Sequence, residues 1–156
     1  MKITLKVAAV ILNSKKEVLL IRERYEKEQD PKWNLIKGTY DNIEETLVDC
    51  IKREIKEEVG LMANSVKLHH VFQYGNVDNL RVLFVFQVTD FEGEIFIQPE
   101  SEQIKRNENI ISANWFTKEE LSKISEEDCM APYVWLSIKN IENNTKESIE
   151  ILKIDV

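Results

Sequence analysis

The sequence predicts an α+β fold or a mixed α/β sandwich, and three observations point there. Short apolar runs rich in β-branched residues recur along the chain, only a few segments carry a helical repeat, and the two kinds of segment interleave irregularly. That order does not suit a regular doubly wound sheet. At 156 residues the chain is expected to form one domain over 1–156, a length at which about two thirds of the unfolded surface is buried. Its 43% hydrophobic and 31% charged residues are ordinary for a globular protein, so disorder is expected only at the termini.

The elements follow in order. "ITLKVAAVIL" and "VLLIRERY", joined by the polar "NSKKE", read most simply as a strand pair. "WNLI" is followed by a loop, "KGTYDNIEE". A helix is expected at about 47–59. Thr46 and Asp49 make a capping box, and Val48, Ile51, Ile55 and Val59 fall on one stripe that faces the core. Gly60 stands where the pattern stops and suits a left-handed cap. "VKLHHVFQYG" and "NLRVLFVFQVTDFEGEIFI" read as strands with a turn near "GNVDN" and a break around "DFEGE". His69 and His70, neighbours on a strand, should point to opposite faces and serve structure. "WFTKEELSKI" announces a second helix with a stronger capping box, Thr117 and Glu120. Residues 128–142 form a third helical candidate, started or interrupted by Pro132. The tail "SIEILKIDV" alternates like a strand. It either covers a sheet edge within the chain or pairs with a second subunit as a homodimer.

Several function classes are disfavoured. The apolar runs "VAAVIL" and "VLFVF" fall far short of the roughly 18 residues that span a bilayer. The amino-terminal stretch does not read as a secretion signal, so a cytoplasmic location is expected. Cys50 and Cys129, without a Cys/His cluster, argue for plain buried thiols and against a zinc site or disulfide. A formal net charge of −7 disfavours nucleic-acid polymers as partners. A small phosphorylated ligand remains compatible if a bound metal ion supplies positive charge.

The segment "REIKEEVG" carries the chemistry. Glu54 and Glu58 are a like-charge i, i+4 pair costing about 0.2 to 0.5 kcal/mol. Glu57 and Glu58 oppose the dipole in the last helical turn at roughly 0.3 to 1 kcal/mol each. Pairing of Asp49 with Arg53, and dilution by Lys52 and Lys56, would offset part of this, and a Glu-rich helix is in general more often a solvated face. A divalent cation reverses the balance, because three carboxylates on one arc supply hard oxygen ligands to one centre. Mg²⁺, or Mn²⁺ in its place, suits Glu54, Glu57 and Glu58 as a metal set, and Mg²⁺ usually shares its shell with substrate phosphates. Arg53 would steer Glu54 by a charge-assisted hydrogen bond.

"GTYDNIEETLVDCIKREIKEEVGL", Gly38 to Leu61, resembles the Nudix box of the Nudix hydrolase family. Glu45, then after seven residues Arg53, Glu54, Ile55, Glu57, Glu58, Gly60 and Leu61, match in type and spacing. The first half departs from the pattern. Six residues separate Gly38 from Glu45 where the family usually has five, so one residue is inserted or Thr39 stands in the glycine position. Ile36, Lys37 and Ile43 replace a usual Pro and Gly residues. "VAAVILNSKKEVLLIRER" resembles the family's opening hairpin, and "NWFTKEEL" the capped helix after its last core strand.

The resemblance implies an α/β/α sandwich with a central mixed sheet flanked by helices, and a metal-dependent pyrophosphohydrolase that cleaves a diphosphate linkage in a nucleoside diphosphate derivative by attack of water on phosphorus. Arg53, Glu57 and Glu58 are its expected catalytic residues, with Glu54 joining Glu57 and Glu58 at the metal, and Gly38, Glu45 and Gly60 structural. Glu45 lies just before the helix, where a structural or a metal-shell role fits equally. The general base is one of the box acids or a loop carboxylate before the "WF" pair. Glu108 is the first candidate, ahead of Glu100 and Glu102. Among Arg22, Arg24, Arg81 and Lys37 for phosphate, and Trp33, Tyr25, Phe72 and Tyr74 for a base, sequence alone selects none. The alternatives are a Nudix-like domain that senses a nucleotide without cleaving it, and a structural domain whose acidic helix meets another protein.

Overall fold

A computed structural model describes residues 1–143 and 151–153, with side chains described through residue 141. Two sheets form its centre. The larger has five strands in the order β4-β1-β6-β5-β8: Ile36–Tyr40, Lys2–Ile11, Asn79–Glu92, Met62–Gly75 and Ile151–Lys153. It is mixed, with β1 antiparallel to β4 and parallel to β6. The smaller is antiparallel, in the order β3-β2-β7: Lys32–Asn34, Val18–Glu23 and Ile110–Phe116. Helices α1 (Leu47–Val59), α2 (Glu100–Lys105), α3 (Lys118–Ser122) and α4 (Pro132–Asn143) complete the expected α+β arrangement.

The opening strands do not pair as a hairpin. Only an isolated bridge, Leu12 to Val18, joins them, and each enters a different sheet. Their sequences carry the reason, since runs apolar at every position must bury both faces. Val7, Ala9 and Ile11 of β1 and Leu19 and Ile21 of β2 enter one core cluster with α1. Ala8 and Val10, with Val18 and Leu20, enter a second cluster with α4. Between the strands, Asn13 Oδ1 accepts from the amides of Lys15 and Glu17, each at 3.0 Å, an Asx-type turn.

Helix α1 has the expected bounds, and Thr46 and Asp49 form the reciprocal capping box. Gly60 ends it at φ 75°, in the left-handed region. The core stripe is rotated from the sequence reading. Val48 is 37% exposed, whereas Cys50, Ile51, Glu54, Ile55, Glu58 and Val59 are buried. Two glutamates thus occupy positions that amphipathic patterning assigns to apolar residues.

Strands β5 and β6 meet at the turn expected near residues 75–79, where Asn76 and Asn79 exchange backbone hydrogen bonds at 3.0 and 3.2 Å. Register shifts interrupt β5, one of them between Leu68 and His70. Such a bulge breaks strict alternation, so His69 and His70 do not part: their rings lie 4.1 Å apart and their Nδ1 atoms touch. The charged stretch before β7, where the sequence suggests only a loop, contains helix α2. Pro132 starts α4 and does not interrupt it. Of the tail, Ile151–Lys153 runs parallel to β5 at the sheet edge, while the rest of the expected strand, 148–150 and 154–156, lies outside the described residues. No helix among the described residues is long and apolar enough to cross a membrane.

Candidate active site

The core on one side of the large sheet presses α1 against β4, and this contact places the first carboxylate. Gly38 is opposite Val7 in register and Thr39 opposite Lys6, so Gly38 presents its bare face to the helix. A Cβ there would collide with the Glu54 carboxyl. The register thus distinguishes the two candidate positions: Gly38 gives Glu54 its space, and Thr39 faces the other way.

Arg53 organises the acids around it. Its Nη2 and Nε donate to the two oxygens of Glu45 at 2.8 and 3.2 Å, and its Nη1 to Glu54 at 2.8 Å and to Glu57 at 3.3 Å. The expected pairing with Asp49 is absent because the capping hydroxyl and amide of Thr46 take that carboxylate, at 2.7 and 3.1 Å. Lys52 also turns away, donating to the Asn64 carbonyl at 2.9 Å. The planar fork serves three acids at once, which a lysine cannot do. Arg53→Lys is therefore expected to cost about 10- to 100-fold in activity with a small change in melting temperature. Steady-state kinetics beside a thermal melt checks this.

Glu58 is 3% exposed and accepts from the Lys37 amide at 3.2 Å. Burial pushes its carboxyl well above the ordinary range, Lys37 opposing and Glu23, Glu108 and Glu54 adding to the rise. Burial likewise pushes Glu54 up to about 7 against the pull of Arg53. Behind them lies a buried polar chain. Lys37 Nζ and Asn34 Nδ2 each donate to Glu23 Oε1 at 2.6 Å, and the Tyr133 hydroxyl donates to Asn34 Oδ1 at 3.3 Å. Burial would lower Lys37, but Glu23 and Glu58 outweigh it and hold its ammonium above lysine's usual value.

Glu108 arrives from the opposite side on the loop after α2. The buried Gln103 fixes that loop, accepting from the Ile110 amide at 2.6 Å and donating to the carbonyls of Gln98 and Ile110 at 2.8 and 3.1 Å. Asn107 takes a left-handed φ of 55°. Arg106 Nε then donates to both Glu108 oxygens at 3.2 Å, while its Nη2 reaches the Glu57 carbonyl at 3.2 Å and ties the loop to the end of α1. Burial raises the Glu108 carboxyl against the opposing pull of Arg106.

Glu54, Glu58 and Glu108 converge, with oxygens within 4.8 Å of one another. Glu57 lines the same cleft, of about 330 Å³, from beside Arg53. Glu100 pairs with Lys27 and Glu102 with Lys105 at the surface. Hard carboxylate oxygens from two elements, two of them on buried residues, fit a divalent cation such as Mg²⁺ or Mn²⁺. Sequence reasoning missed Glu23, Asn34, Gln103 and Arg106. No spacing signal marks them, since tertiary structure alone brings them to the site. Of the aromatic candidates, Phe72 is core, and Trp33 is covered by Arg22 at 5.3 Å and Phe116 at 4.8 Å. Burial pushes the Cys50 and Cys129 thiols up to about 12 and 11, in keeping with inert core residues.

Solved structures share this fold. They include the MutT protein from Methanosarcina mazei Go1, 19% identical with a TM-score of 0.69, covering 94% of this chain and 97% of that one. A NUDIX hydrolase from Nitrosomonas europaea is 19% identical at a TM-score of 0.73, covering 100% and 81%. An ADP compounds hydrolase is 18% identical at a TM-score of 0.70, covering 90% and 71%. At these identities the likeness is one of fold. No curated protein matches the chain in sequence. The family model of the NUDIX domain matches residues 2–135. The chain belongs to the NUDIX family, and its class is that of the pyrophosphohydrolases, which act on phosphoric anhydrides.

Proposed function

We propose that this protein is a cytoplasmic, divalent-metal-dependent hydrolase that splits the diphosphate linkage of a nucleoside diphosphate derivative. The observation that carries the proposal is the convergence of Glu54, Glu58 and Glu108 on one point of the cleft. Glu54 and Glu58 would hold Mg²⁺ or Mn²⁺, with Glu57 beside them on the same helical arc. When bound, the ion offsets charge on the nonbridging phosphate oxygens and lowers the pKa of water. Arg53 keeps the helix carboxylates apart and oriented. Glu108, fixed from a different element by Arg106, stands where it can accept the proton of the attacking water. In the reaction a water oxygen forms the new bond to phosphorus. The bridging P–O bond breaks, its electron pair leaves with the departing phosphate, and the water's proton goes to Glu108.

Two measurements test this. Mg²⁺ or Mn²⁺ is expected to raise the melting temperature of the metal-free protein, because a ligand at 100 times its Kd stabilises the folded state by about 2.7 kcal/mol. The metal-supplemented protein should then release identifiable products from at least one of a panel of nucleoside triphosphates, nucleotide sugars and dinucleotides. A melting temperature indifferent to metal would refute the metal site. Ligand binding without turnover would instead favour a nucleotide sensor.

A further inference from the structure

One wall of the cleft does something the hydrolytic step does not require. Strand register sets Lys6 beside Thr39, Lys37 beside Ala8, Arg81 beside Thr4 and Tyr74 beside Arg81. Alternate residues of a strand share a face, so Lys6, Lys37, Arg81 and Tyr74 lie on the same side of the large sheet. It is the side opposite Gly38 and α1. Lys6 and Lys37 reach the cleft itself. The Arg81 guanidinium lies 5.9 Å over the Tyr74 ring, whose other neighbour is Tyr133 at 6.2 Å.

The charges on this wall are unbalanced. Lys37 has Glu23 at 2.6 Å, but among the described residues no carboxylate pairs with Lys6 or Arg81. Burial, then Lys37, then Arg81 push the Lys6 ammonium below its ordinary value, and the Glu23 carboxylate, already engaged by Lys37, offsets only part of this. A multiply charged anion between Lys6 and Arg81 would relieve this repulsion and gain charge-assisted hydrogen bonds. A metal cation cannot serve here, having the same sign.

We propose that Lys6 and Arg81 form a phosphate subsite distinct from the carboxylate cluster, with Tyr74 as the flat surface beside it. The preferred substrate then carries a phosphate beyond the two of the scissile diphosphate. Nucleoside triphosphates fit this requirement, and nucleotide sugars, which carry only an uncharged sugar beyond the diphosphate, do not. This choice of substrate rests on the hydrolase reading, whereas the subsite itself does not.

The test separates the two. Inorganic tripolyphosphate titrated by calorimetry into the metal-free, full-length protein is expected to bind. Lys6→Gln and Arg81→Gln should each weaken that binding by roughly tenfold or more, the scale of a lost hydrogen bond to a charged group. Lys6→Arg should largely restore it, and Lys118→Gln, at an exposed position on α3 away from this wall, should leave it unchanged. In turnover, the two glutamine variants should raise KM for nucleoside triphosphates by a similar factor, with kcat and the KM for nucleotide sugars held within about twofold. Absent tripolyphosphate binding, equal weakening by Lys118→Gln, or equal losses for nucleoside triphosphates and nucleotide sugars would each overturn the proposal. Binding that follows this pattern without any turnover would support the subsite and refute the hydrolase reading.

Discussion

Glu58→Gln is expected to lower kcat/KM by roughly 100- to 1000-fold, the scale of losing part of the metal's several kcal/mol of charge stabilisation, while the protein stays folded. The substitution is close to isosteric, and its amide oxygen can still accept from the Lys37 N–H. It should also change how stability depends on pH in the metal-free protein. The carboxyls of Glu54, Glu58 and Glu108 are all raised by burial, so between the ordinary carboxylate pKa of about 4.3 and these raised values the folded state holds more protons than the unfolded one. These three carboxyls therefore lower stability as pH rises through that window, outnumbering the His69 imidazole, whose lowered pKa works in the opposite direction. The wild-type melting temperature should drop from pH 5.5 to pH 7.5. In Glu58→Gln the drop should be smaller, and added Mg²⁺ should stabilise less. Equal activity and equal stabilisation by Mg²⁺ would remove Glu58 from the metal site, and a melting temperature in the variant that falls as steeply with pH as in the wild type would contradict the raised carboxyl.

Ile55→Ala is expected to cost roughly 2–5 kcal/mol, which at this chain length is a fall of roughly 5–15 °C in melting temperature. Ile55 is fully buried where α1 meets β1, β4 and β6, and truncation leaves a cavity that rigid strands on one side cannot collapse. Val48→Ala on the same helix, at a residue 37% exposed, should stay within about 0.5 kcal/mol. The pair of melts tests which face of α1 is the core face. Similar losses at both positions would contradict the packing described here.

That helix also marks where local sequence is informative. Its limits, its capping box and its left-handed glycine were legible because each is set by residues within a few positions of one another. Its buried face was misjudged by part of a turn because patterning assumes that charged residues seek water, and Glu54 and Glu58 do not. The opening strands could not be assigned to separate sheets from their composition, since an apolar run states only that both faces are buried. The three acids of the helix were visible as a group from their spacing. Glu108 entered only through resemblance, and Arg106, Gln103, Glu23 and Asn34 act across separations that no local pattern spans.

The Lys37 side chain has a consequence for any attempt to make this chain resemble its relatives. The family usually has proline and glycine where Ile36 and Lys37 stand, yet here the ammonium of residue 37 neutralises the buried Glu23. Glycine at 37 would keep the N–H that serves Glu58 but would leave the enclosed Glu23 without its nearest cation. Consensus engineering, sound at many exposed positions, would at this one remove the counterweight that lets the chain keep so much negative charge out of water.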